Sequence, residues 1–263
     1  MEYKTIIYLE EDKDAKIVLN NPNSLNVFNE TLINELLDAL KKAEINSSIK
    51  TVTITATGKS FSGGGDINEM YEGIKEDISV FQKTVKPIGE ISFFIKSMSK
   101  PVIIGVLGAV AGAAFNIALA CDFCIAAENA RFIQSFVKIG LIPDAGGIFM
   151  LTRALGVNKT THITMLGDEF SAIQGKSLGF VYDICATEEL DQAVHNLAKK
   201  LAAGPIVSYK CIKQLIWESE FKPFADYLNI EYEKQIECEN TDDYKEGVSA
   251  FKEKRPALFE GWT

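Results

Sequence analysis

Between Pro101 and Cys121 the chain carries no charged side chain, and this run limits the fold more than any other segment. A stretch so long and apolar either crosses a bilayer or lies inside a protein core. Its punctuation decides between the two. Pro101, Gly105, Gly108, Gly112 and Asn116 interrupt it, and it reads as two pieces. Val102 to Leu107 is a largely β-branched run, suited to a strand, and Ala113 to Ala120 is alanine-rich, suited to a helix. The prediction is a buried strand, a turn and a buried helix, with no membrane span.

The flanking sequence extends this pattern. Thr5 to Leu9 and Ile17 to Leu19 flank the polar turn Glu10 to Asp14, which predicts a hairpin. Asn29 reads as an N-cap, with Leu32, Leu36, Leu37 and Leu40 at helical spacing behind it. Thr51 to Thr57 alternates as a strand and ends at Gly58. Val80 to Met98 is a helical stretch with Pro87 as a break or kink. Phe123 to Ala126 is a strand and Ala145 to Leu155 a helix. Strands alternating with helices predict an α/β fold. After Leu190 the character changes, with helices over 190–203, 206–219, 224–238 and 242–253. The expected division is an α/β core over 1–190 and a helical C-terminal subdomain over 191–263.

Composition removes several functions. The formal net charge of −9 leaves no electrostatic footprint for nucleic acid. Five cysteines, an odd number, fit reduced thiols better than a disulfide framework. Cys121 and Cys124 form a C-x-x-C, but no second Cys/His pair lies near and the chain has only two histidines. They read as small buried hydrophobes, and no metal is expected. The N-terminus begins with strand-like sequence rather than a signal peptide, so the expected location is cytoplasmic.

Three corners rich in small residues draw attention. Phe61 to Ile67 holds Gly63, Gly64 and Gly65 between a strand and a short helix; it is either a plain turn or a loop whose N–H groups face a ligand. Gly58-Lys59-Ser60 suggests a phosphate loop, but Thr53 stands where its first glycine belongs. Gly108 to Asn116 turns the buried strand into the buried helix. Small residues there serve tight packing or an anion at the helix start. In Gly140 to Gly147, Asp144 follows a proline and precedes a helix. It is either an N-cap or a carboxylate turned into a cleft as an acid or base. No G-x-S-x-G elbow is present, so triad hydrolysis has no support.

Together these corners resemble the crotonase (enoyl-CoA hydratase/isomerase) superfamily. Five segments carry the resemblance in order: Asn21 to Val27, Phe61 to Ile67, Lys100 to Asp122, Gly140 to Gly147, and Asp243 to Arg255. It implies a spiral of repeated β-β-α units with a helical C-terminal trimerisation region, as a homotrimer or a homohexamer built as a dimer of trimers. It implies an acyl-CoA thioester substrate, with CoA entering as part of the substrate and no separate cofactor. The backbone N–H groups of Gly65 and Ala113 would hold the thioester oxygen. Ser24 and Leu25 belong to the adenine-site segment, and carbonyls near Val27, Gly63 and Ile67 would receive the adenine amino group. Phe251 and Lys254 fall where the family contacts CoA from a neighbouring subunit. The substrate pocket would be lined by the segment around Tyr71 to Ile95 and by the C-terminal helices.

The departures are as informative. The two glutamates of the hydratases would fall at Asn116 and Phe136, both expected beside the substrate, and neither is acidic. An amide and a phenyl ring cannot exchange protons at neutral pH. Simple hydration is therefore disfavoured. The acid at Asp144, together with an Asp-Tyr-x-Glu-Gly-Val-Ser-Ala-Phe ending, is closest to the ring-1,2-epoxyphenylacetyl-CoA isomerase and enoyl-CoA isomerase branch. The expected activity is a double-bond shift, Δ3 to Δ2 or the related epoxide-to-oxepin conversion, with Asp144 as the single proton carrier and Phe115 and Phe136 keeping water out. The alternatives are decarboxylation or thioester hydrolysis on the same scaffold, or an inert CoA-ester-binding protein.

Overall fold

The computed structural model describes residues 3–261. The outermost residues of the two expected portions, 1–2 and 262–263, lie outside the described residues. The chain opens with a hairpin, β1 (Ile6–Glu11) and β2 (Asp14–Leu19), paired antiparallel. Asp12 and Lys13 turn it with positive φ, which matches the twist of the strands. The helix α1 (Glu30–Ile45) follows, and the Asn29 side chain caps it by accepting from Leu32 N–H at 3.0 Å. The strand β3 (Thr51–Ala56) then pairs parallel to β2.

Next come α2 (Ile67–Glu76) and α3 (Phe81–Ser97). Pro87 does not break α3, although it removes one backbone hydrogen bond. Packing against α1 on one side and the C-terminal region on the other holds it continuous. The uncharged run divides into β4 (Val102–Val106), β5 (Ala109–Ala111) and α4 (Ala113–Ala120). Every residue of β4 is buried, which is why its sequence is apolar without alternation.

The spiral continues through β6 (Phe123–Ala127), β7 (Arg131–Ile133), α5 (Gly147–Leu155), α6 (Val157–Leu166), β8 (Glu169–Ser171), α7 (Ala172–Leu178) and β9 (Asp183–Cys185). Among the described residues the strands form two sheets. The larger has the order β1-β2-β3-β4-β6-β9 and is parallel from β2 onward. The smaller has the order β5-β7-β8. Two consecutive turns, β4-β5-α4 and β6-β7-α5, thus place one strand in each sheet and then a helix, the β-β-α repeat. Gly108 makes the step from β4 to β5: its φ is +56°, and a Cβ there would lie 2.1 Å from the Lys59 carbonyl oxygen.

Four helices close the molecule: α8 (Leu190–Ala202), α9 (Ile206–Ile216), α10 (Phe224–Glu239) and α11 (Asp242–Glu253). A π-turn over Trp217–Phe221 extends α9. They fold back on their own chain. Leu190, Val194, Leu197 and Leu201 of α8 pack on Ile103 and Ile125 of the large sheet. α10 lies along α3, and α11 lies on α2 and on the turn at Phe136–Ile139. Cys121 and Cys124 are buried and free, and burial pushes the Cys124 thiol up to about 12. No described helix is long and apolar enough to cross a membrane.

Candidate active site

The glycine corners meet because Ser62 zips them together. Ser62 N–H donates to the Ala109 carbonyl at 3.0 Å, and Ala111 N–H donates to the Ser62 carbonyl at 3.1 Å. Gly64, at φ +91°, passes so close to β5 that a Cβ would lie 3.0 Å from the Ala111 carbonyl oxygen. The adenine-site segment is fastened to the same loop: Gly63 N–H donates to Leu25 and Phe28 N–H to Gly64, at 2.9 and 2.8 Å. Asn26, fully buried, braces it from behind. Its amide donates to the Thr57 and Phe61 carbonyls at 3.0 and 3.1 Å, and its oxygen accepts from Asn21 N–H at 2.7 Å.

The N–H groups of Gly65 and Ala113 are among those of these corners that find no partner among the described residues, as are those of Asp66, Ile67 and Ala114. Ala113 opens α4, where the first N–H groups of a helix have no internal acceptor and the dipole is positive. Beside both corners lies a cavity of about 390 Å³. Gly63, Gly65, Ile67, Phe136, Asp144 and Phe251 all line it, so half of the residues selected from sequence converge on one space.

The other six do not line it. Ala113 follows the lining residue Gly112 and is itself buried. Ser24 and Leu25 are exposed in a one-turn 3₁₀ segment, and Val27 is half-buried beyond it. Lys254 is exposed and ends α11 in a left-handed conformation. Asn116 does not line the cavity. It is fully buried, its amide nitrogen donates to the Asp144 carbonyl at 2.9 Å, and its oxygen accepts from Gln134 at 2.7 Å. It therefore holds the backbone at Asp144. Phe115, expected to exclude water from the site, lies in the core against Phe132 and Phe180. Phe136 does face the cavity, with its ring against Gly112.

Asp144 is the one carboxyl among the described residues lining the cavity. Its side chain does not cap α5, whose N-cap is Gly146 with no side-chain bond. The capping role falls to its backbone, since Gly147 N–H donates to the Asp144 carbonyl at 2.9 Å. The carboxyl is left free to face the cavity, and its Oδ1 is buried without a hydrogen-bond partner among the described residues. Burial pushes Asp144 up to about 7, against the opposing pull of its backbone and Asn116 hydrogen bonds. Such a group exchanges protons near neutrality.

Residues from the C-terminal helices complete the surroundings, and these were not singled out from sequence. Gln235 of α10, buried, lines the cavity and accepts from Ile142 N–H at 3.1 Å. Glu231, also on α10, accepts from Gly146 N–H at 2.9 Å. Lys138 is the one cation among the described residues lining the cavity. The helical spacing of α10 announces its existence but not which polar residues turn inward.

Comparison with known proteins finds relatives along nearly the whole chain. A family model described as enoyl-CoA hydratase/isomerase matches residues 11–262. The chain is 40% identical to the trans-2-decenoyl-[acyl-carrier-protein] isomerase of Streptococcus mutans, over 99% of this chain and 100% of that protein. It is 33% identical to the 1,2-epoxyphenylacetyl-CoA isomerase of Escherichia coli, over 93% and 94% of the two chains. The solved structure of an enoyl-CoA hydratase from Mycobacterium avium subsp. paratuberculosis superposes with a TM-score of 0.88 at 27% identity, covering 98% of this chain and 99% of that one. With the β-β-α spiral, the paired glycine corners and a family match along nearly its whole length, this chain belongs to the enoyl-CoA hydratase/isomerase (crotonase) family.

Proposed function

We propose that the chain is an isomerase that shifts a carbon–carbon double bond in an enoyl thioester, with Asp144 as its only proton carrier. One observation carries this reading: Asp144 is the sole acid among the described residues lining the cavity, while Asn116 and Phe136 stand at the two positions where a hydratase holds its glutamates. Isomerisation adds no water, so one carboxylate suffices for both proton transfers.

In the Δ3 to Δ2 direction, ionised Asp144 takes a proton from C2. The C2–H electron pair passes into the thioester, and the carbonyl oxygen gains negative charge. The N–H groups of Gly65 and Ala113 stabilise that oxygen; each such donor contributes about 3 kcal/mol in comparable sites. The proton then returns to C4, C2=C3 forms, and the electrons of C3=C4 make the new C–H bond. The half-buried site, with Phe136 against Gly112, limits water that would quench the enolate.

The carrier is a separate question. The resemblance implies CoA, whereas the Streptococcus mutans relative is named for a thioester on acyl carrier protein. Both present the same enoyl thioester to the cavity. The test is product analysis with 3-enoyl and 2-enoyl thioesters on each carrier, using the wild type and Asp144→Asn. A shifted double bond from the wild type, lost in the variant, is expected. Equal rates in both sink the role of Asp144, and a hydrated product sinks the isomerase reading.

A further inference from the structure

The backbone just beyond Asp144 is held in an unusual shape. Ala145 and Gly146 both have left-handed backbone, with φ of 51° and 76°. For alanine this conformation costs about 1–2 kcal/mol, so the corner persists only if its surroundings fix it. Asn116 fixes one side through the Asp144 carbonyl. The other side is fixed by Glu231, whose two oxygens stand 2.9 and 3.2 Å from Gly146 N–H.

Glu231 is only 4% exposed, and no cation pairs with it among the described residues. On its own helix, Tyr227 one turn earlier helps hold the carboxyl's charged form against burial. From α3, Lys86 and Glu90 line the shallow cavity that Glu231 also borders, and the Lys86 ammonium sits over the Tyr232 ring at 4.3 Å. From the α5 side the charged group that bears on it is Asp144. Two buried carboxyls that feel each other's charge do not both ionise readily. Burial first, and then the Asp144 charge, push Glu231 up to about 8.

We propose that Glu231 is a positioning residue that fixes the Asp144 corner through Gly146, and that its own ionisation opposes the working charge on Asp144. This rests on the reading of Asp144 as the proton carrier. A neutral Glu231 still accepts from Gly146 N–H through its carbonyl oxygen. Once it ionises, a second negative charge stands behind the Asp144 corner and holds the proton on Asp144. Activity therefore rises as Asp144 ionises and falls as Glu231 does.

The test is the pH dependence of kcat on an enoyl thioester for the full-length wild type, E231Q, E231A and D144N. The wild type is expected to give a bell-shaped profile. E231Q, which can accept from Gly146 but cannot ionise, keeps the acid-side limb and loses the alkaline one. E231A releases the corner, and its kcat falls about tenfold or more with KM within about twofold. An alkaline limb unchanged in E231Q overturns the pairing, and wild-type kcat in E231A overturns the positioning. If D144N is inactive while E231Q tracks the wild type, only this proposal fails. Wild-type rates in D144N overturn the reading of Asp144 and this proposal with it.

Discussion

Asp144 Oδ1 is buried without a partner among the described residues, while the same residue's carbonyl takes two hydrogen bonds, from Asn116 and from Gly147. The backbone is thus anchored and the carboxyl is the part left to react. Asp144→Asn keeps the shape and removes the base, so kcat should fall by about 10²–10⁴-fold with KM little changed, measured by steady-state kinetics. The anchor leaves no spare room. A Cβ at Gly147 would lie 2.4 Å from Asn116 Oδ1. Gly147→Ala should therefore cost about 1–3 kcal/mol in denaturant unfolding, and kcat should fall with it as Asn116 is displaced. Asp144 was legible in sequence because a proline, a following helix and a family pattern coincide there. Glu231 was not. On α10 it is one of several glutamates in a mixed-polarity helix, and only the fold shows which of them meets a backbone N–H 85 residues away.

At the level of elements, the wall of the cavity depends on how closely α11 approaches the turn at Phe136–Ile139. Gly247 permits that approach, since a Cβ there would lie 2.6 Å from the Ile139 backbone. Tyr244 and Val248 of α11 then pack with Phe81, Phe136 and Leu141. In an isolated helix, alanine in place of glycine would gain about 1 kcal/mol. Here the clash opposes it: Gly247→Ala should lower the melting temperature and raise KM for the enoyl thioester, as Phe251 shifts from the cavity. Elements with a long period were readable from the chain. The bounds of α4 match the alanine-rich run, and α8, α10 and α11 fall within a residue or two of expectation. The strands β5, β7, β8 and β9 were not readable, because three residues define no alternation and their pairing is wholly long-range.

Across the whole molecule the two raised carboxyls leave a signature on stability. Asp144 and Glu231 are held at about 7 and about 8 by burial, so the folded chain binds more protons than the unfolded one between about pH 4 and 8. Their contribution is fully present below the unfolded carboxylate range and is lost as pH rises through 7 and 8. Between pH 5 and 9 the melting temperature of a D144N/E231Q double variant should therefore fall less than that of the wild type. Assembly is a second property of the whole. The resemblance implies trimers or hexamers, and large apolar side chains stand exposed on α6 and α9, among them Met165, Leu166, Val207 and Leu215. Light scattering on the purified chain should give the mass of three or six copies.

The cavity draws on both ends of the fold: glycine corners from residues 63–65 and 111–112, and Gln235 and Phe251 from the closing helices, with Glu231 behind them. On a ribosome the sheets and their corners emerge first, and α10 and α11 follow only after residue 224. Until then the Asp144 corner lacks its brace and the cavity lacks a wall. A chain halted in translation before α10 can carry both sheets and every glycine turn and still have no working site, so folding and competence arrive at separate moments of synthesis.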